Sequence, residues 1–148
     1  MDTLAIRQAI ADAVAAATPP TGEEAVKFSS ARMPNAIGSW PAFVIEPGPE
    51  ELEWMPNRQR WSTFTFEGVL YRQAVGELGD RIAALEAWRD VLRDVTLTAI
   101  QLGLSAYVQQ ALPVSTDVGP VAYNGVAHDG VTVTWEVKVR EVVAGAQA

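Results

Sequence analysis

The chain has 148 residues, 49% of them hydrophobic and 20% charged, with a formal net charge of -7 and no cysteine. That length suits one domain, residues 1–148, able to bury its own core, and the apolar content excludes an intrinsically disordered chain. The acidic balance argues against a general nucleic-acid binder, and the missing thiols exclude disulfides, thiolate metal sites and cysteine nucleophiles, which fits an intracellular assembly site.

In residues 3–17, Leu4, Ile6, Ile10 and Val14 bunch on one side of an alanine-rich stretch closed by Thr18-Pro19-Pro20, which predicts a first helix with one buried stripe. Residues 25–28 read as a short strand, and residues 29–40, with Met33-Pro34-Asn35 and Gly38, as a long loop. Residues 41–46 cluster β-branched and aromatic side chains before the Pro47-Gly48-Pro49 break, predicting a short buried strand. An acidic run follows, Glu46, Glu50, Glu51 and Glu53, and then Trp54, Met55, Arg58 and Arg60, all within one arm or hairpin.

Residues 61–72 alternate with period two, placing Phe64, Phe66 and Leu70 on one face and Trp61, Thr63, Thr65, Glu67, Val69 and Tyr71 on the other. Large groups on both faces imply that the second face is also covered. Residues 78–100 predict a helix packed across a sheet through Leu78, Ile82, Leu85, Trp88, Leu92 and Val95, with Gly103 ending or bending it. Between there and Pro113 the sequence is open between a short strand and an extension of the helix. Residues 119–127 and 131–143 read as a hairpin turning at His128-Asp129-Gly130, with Val131, Val133, Trp135, Val137 and Val139 facing the core. Residues 144–148 read as a disordered tail.

The expected fold is α+β: an antiparallel or mixed sheet of about four to five strands with an N-terminal helix and a longer central helix packed on it. Residues 1–8 lack the basic leader and apolar core of a secretory signal, and the uncharged stretch 95–116 is interrupted by Gln101, Gly103, Gln109, Gln110 and Pro113. Neither export nor membrane insertion is expected.

Candidates for chemistry are few. His128 beside Asp129 suggests a base oriented by a carboxylate, but turn formation explains the pair better, since no serine or further titratable group completes a triad. The four glutamates could hold a hard cation, yet their spacing lacks the Asp/Asn alternation and glycine of a calcium loop, and a solvated acidic edge is favoured. Glycine-rich phosphate loops are absent. No catalytic, metal or cofactor site is expected. Met33, Trp40, Trp54 and Met55 are read as loop residues that either form an interface or fold back as lids over the core, with Arg58 and Arg60 favouring the interface.

The order of segments resembles the tail-terminator, or tail-completion, proteins of long-tailed bacteriophages and related minor tail and neck proteins. The resemblance is carried by the helix Leu4-Ala-Ile-Arg-Gln-Ala-Ile10, the loop Pro34-Asn-Ala-Ile37 and the strand Pro41-Ala-Phe-Val-Ile-Glu-Pro-Gly48. The aromatic strand 61–71, the helix holding Leu85 and Trp88 and the hairpin ending in 131–139 complete the layout. It implies a small α/β subunit of a closed ring, commonly a hexamer, that caps the tail tube, stops its polymerisation and presents the head-joining surface, without cofactor or catalysis. Its partners would be further copies of itself, the tube protein and a head-completion protein, with DNA passing through unbound. It would act in the virion after assembly in the host cytoplasm.

The expected interface residues are Arg32, Met33, Trp40, Trp54, Met55, Arg58 and Arg60, with Glu46, Glu50, Glu51 and Glu53 as candidates to face the DNA passage. A head-closure adaptor or a tube subunit would read similarly, and a small ligand-binding domain or hydrolase using His128 is the alternative of a different class.

Overall fold

The computed structural model describes residues 1–143, so the tail expected at 144–148 lies outside the described residues. Helix α1 spans Thr3–Ala16. Asp2 caps it by accepting hydrogen bonds from the Leu4 and Ala5 amides, which satisfies two of the free donors at the helix start. Ile6, Ile10, Ala11 and Val14 form its buried stripe.

Strand β1 (Phe28–Ser30) runs parallel to β2 (Ala42–Glu46), three residues later than the strand expected at 25–28. Two polar contacts set this position: the Ser29 hydroxyl donates to Ala11 O at 2.6 Å, and Arg7 donates to Ala31 O. Both tie β1 to α1. After β2, Pro47-Gly48-Pro49 interrupts the pairing, and the chain continues in the same direction as β3 (Glu50–Trp54) along the long strand β4 (Gln59–Arg72). A Cβ at Gly48 would run into the Thr65 carbonyl, so only glycine fits where the break lies alongside β4. As a result β2 and β3 share one edge of β4, β2 opposite Glu67 to Tyr71 and β3 opposite Arg60 to Phe64.

Helix α2 spans Leu78–Asp94, and β5 (Val108–Tyr123) and β6 (Val126–Val142) complete a sheet of order β1-β2-β4-β6-β5 with β3 beside β4. The fold is α+β, with two helices and a six-stranded mixed sheet among the described residues. Both helices pack on one face, α1 over β1 and β2 and α2 over β5 and β6. Val131, Val133, Trp135, Val137 and Val139 are fully buried there, as the alternation of β6 predicts, together with Phe43, Phe66 and Leu70.

Three expectations are corrected. Helix α2 ends at Asp94 rather than near residue 100, because Thr96 turns inward and donates its hydroxyl to Ala111 O at 2.9 Å, pinning the chain to β5. Leu78 and Ile82 are exposed rather than core, since only Leu85, Trp88 and Leu92 of α2 are buried. The final hairpin turns at Asn124-Gly125, whose φ of 50° and 75° suit a type I′ turn, and not at His128-Asp129-Gly130, which lies within β6. The edge position of β5 accommodates Pro113 and Pro120 in a strand far longer than the sequence suggests.

Candidate functional site

The β3–β4 hairpin and the end of β6 form an arm at one end of the sheet. Every residue of β3 is exposed. Strand alternation sends Leu52 and Trp54 to the helix side of the sheet, opposite Ser62 and Arg60, yet no helix among the described residues covers them, and Trp54 is 60% exposed. The turn runs through Pro56, Asn57 and Arg58, the last two left-handed with φ of 64° and 61°, and closes where the Met55 amide donates to Gln59 O. Arg60 lies 5.6 Å from the Trp54 ring centroid and donates from Nε and Nη2 to Glu141 Oε2 at 3.1 and 2.8 Å. Trp54 is therefore braced from behind while its outer face meets solvent.

Trp54, Met55, Arg58 and Arg60 are thus gathered on one arm, although Trp54 stands on a strand and not in a loop. Arg32 and Met33 are exposed on a separate loop after β1. Trp40 does not join either group. It is half-buried on the helix-free face, stacked on His128 with ring centroids 4.5 Å apart and edge-on to Tyr71 and Tyr123, so it acts as a lid over a second apolar cluster around Ala42 and Val44. Burial raises the Tyr71 phenol above its ordinary pKa, with Glu46, Tyr123 and Glu67 adding to the effect.

The strand register separates the four glutamates. Glu46, paired with Glu67, and Glu51 and Glu53, opposite Thr63 and Trp61, share the helix-free face, whereas Glu50 opposes Phe64 on the helix side. A hollow of about 340 Å³ lies between Glu46 and Glu67 on the helix-free face. Lys138 enters the same face with Nζ 4.7 Å from the Trp61 ring. No three His, Asp or Glu side chains converge as a metal site among the described residues.

Two arrangements escaped the sequence. The first is a charged network between the helix layer and the sheet. Arg81 grips Asp129 with Nε and Nη2 at 2.9 and 2.8 Å, and Arg72 lies 3.6 Å from Asp129 while holding Glu23 at 2.6 Å. Trp88 Nε1 donates to the same Glu23 carboxylate at 3.0 Å. The Arg81 hydrogen bonds hold Asp129 below the ordinary carboxylate pKa, and Arg72 does the same for Glu23. Because neighbours on a strand point to opposite faces, Asp129 faces α2 and His128 faces Trp40, so Asp129 does not orient His128 as a base.

The second arrangement is a groove of about 390 Å³ between the first half of α2 and β5, walled by Leu78, Ile82, Leu85, Val118 and Pro120 with the Arg81–Asp129 pair at its side. Leu78 and Ile82 follow the same spacing as the buried stripe, so periodicity alone could not single them out. No helix among the described residues is long and apolar enough to cross a membrane. No protein-family model matches the chain, and no curated protein matches it either.

Proposed function

We propose that the protein is a structural, non-catalytic subunit of a closed ring at the head-proximal end of a bacteriophage tail tube, where it ends tube polymerisation and offers the head-joining surface. The observation that carries the reading is the exposed arm, which presents Leu52, Trp54 and Met55 to solvent beside Arg58 and Arg60. Large aromatic and arginine side chains brought together on an exposed strand are the composition of a protein interface. The acidic helix-free face supports the second element of the reading, a wall past which DNA slides by like-charge repulsion, with Glu46, Glu51 and Glu53 as its contributors and Glu50 set aside. The ring, a hexamer in this reading, meets the tube protein on one side and a head-completion protein on the other.

Light scattering across a concentration series, followed by electron microscopy of any large species, tests this. A discrete annular species of fixed mass with a central hole supports the terminator. Open-ended filaments favour a tube subunit instead. A mass fixed at one chain at every concentration defeats a self-assembling ring.

A further inference from the structure

We infer that Arg7 and Arg32 form a binding site for a carboxylate from another molecule, at the corner where α1 passes the end of β1. The site goes beyond the ring reading and does not depend on it.

Arg60, Arg72 and Arg81, all half-buried, share one device. Each turns the guanidinium edge that carries Nε and Nη2 toward a carboxylate, that of Glu141, Glu23 and Asp129 respectively. That edge is the fork whose geometry matches a planar carboxylate. Arg7 lies deeper, at 8% exposure, and no carboxylate among the described residues pairs with it. Its Nη1 donates to Ala31 O, but its Nε is buried with no hydrogen-bond partner among the described residues. The most buried of these arginines is therefore the one whose fork is left open, the reverse of what stability alone selects, since a charge withdrawn from water needs a partner.

Arg32 supplies the rim. It follows Ala31 directly in the chain, is exposed, and has no ion-pair partner among the described residues. Ser30 fixes its turn, donating its hydroxyl to Arg32 O and accepting from the Arg32 amide. Burial lowers the Arg7 pKa and the positive charge of Arg32 lowers it further, while Asp2 and Glu46 act more weakly in the opposite sense. Neither acid fills the fork: Asp2 is engaged by the first amides of α1, and Glu46 stands on the helix-free face of the sheet. The strongest charge acting on this buried cation is thus another cation, and an incoming carboxylate relieves their repulsion.

The low exposure of Arg7 sets the ligand class. Only a single carboxylate on a slender stem fits, as on an aspartate or glutamate side chain or a small organic acid. Because Nε lies beneath the surface, the guanidinium must rock outward for the whole edge to meet it.

The test follows the arginine Nε–H resonances of isotope-labelled protein by NMR during titration with sodium acetate, against sodium chloride at equal ionic strength. The Arg7 signal is assigned by its absence from Arg7→Lys. It is expected to move saturably with acetate and not with chloride, while the signals of Arg60, Arg72 and Arg81, already engaged, stay in place. Arg32→Gln, a change at an exposed position that leaves α1 untouched, is expected to weaken acetate binding by roughly 5–10-fold, the loss of one charge-assisted contact.

Concentrating the protein in chloride alone separates the two sources. An Arg7 shift that grows with protein concentration assigns the carboxylate to a second copy, and one that requires acetate assigns it to a different molecule; either upholds the site. An Arg7 signal that moves in neither series overturns it, as does acetate binding that is equally strong in Arg32→Gln. Saturation by inorganic phosphate far below the acetate level overturns the carboxylate assignment. None of these readouts requires a ring or filament to form, so failure of the site leaves the ring reading as it stands.

Discussion

The Arg81 guanidinium and the Asp129 carboxylate meet fork to fork, at 2.9 and 2.8 Å, across the boundary between α2 and β6. Asp129 is 6% exposed and without this partner would lose both of its charge-assisted hydrogen bonds, keeping only the looser contact with Arg72 at 3.6 Å. Through Arg72 and Glu23 the same network reaches β4, the segment after α1 and the indole of Trp88, so one cluster of charges joins four parts of the chain.

Asp129→Ala leaves Arg81 and Arg72 without their shared carboxylate. The expected cost is about 2 kcal/mol, below that of a fully enclosed pair because Arg81 reaches solvent. Urea unfolding measures it. Adding Arg81→Ala to that variant should cost less than the two single losses summed, as a double-mutant cycle reads.

Acid should weaken the fold through the same carboxylates. Asp129 and Glu23 both have pKa values lowered in the folded state, so each contributes stability that is fully present above the ordinary carboxylate value of about 4. That contribution is lost as pH falls through the depressed folded values. Unfolding free energy measured by urea titration should therefore fall as pH drops below about 4, and Asp129→Asn should make the decline shallower.

Gly68 lies in β4 where two buried rings converge. A Cβ there would sit 2.8 Å from Trp135 Cζ3 and press on the end of the Phe43 ring, and both rings are fully buried, in edge-to-face contact at 6.1 Å. Neither can withdraw. Gly68→Ala should cost about 2 kcal/mol, the usual penalty of an overpacked core. Calorimetry should show a melting temperature lower by roughly 4–8 °C.

Trp88 and Trp135 are both fully buried but differ in their indole nitrogens: Trp88 Nε1 donates to Glu23, while Trp135 Nε1 has no hydrogen-bond partner among the described residues. Replacement by Phe removes the same volume from each. Trp88→Phe loses a charge-assisted hydrogen bond, whereas Trp135→Phe removes an unsatisfied donor, so the first should be the more destabilising by about 1–2 kcal/mol in denaturant titration.

Alternation and helical spacing determined most of the elements and their inward faces. Val131 to Val139 in steps of two, Phe64, Phe66 and Leu70, and the α1 stripe at Ile6, Ile10 and Val14 all occupy the core that their periods predict, because a period assigns residues to faces without knowledge of the partner. The arm was legible as a hairpin for the same local reason, from Glu50 to Arg60. Tertiary structure decided what no period carries. Asn124-Gly125 and Asp129-Gly130 are both good turn sequences, and the choice between them follows from packing: Asp129 is held by Arg81, and Val121 lies over Gly130 where a Cβ would stand. Glu23 and Arg72 are 49 residues apart, so their pairing has no local signature. Leu78 and Ile82 belong to the same run of three- and four-residue spacings as Leu85, Trp88 and Leu92, yet lie outside the buried part of α2 and border a groove. Which apolar residues a helix buries depends on where the sheet beneath it stops, and that edge is set by strands far away in the sequence.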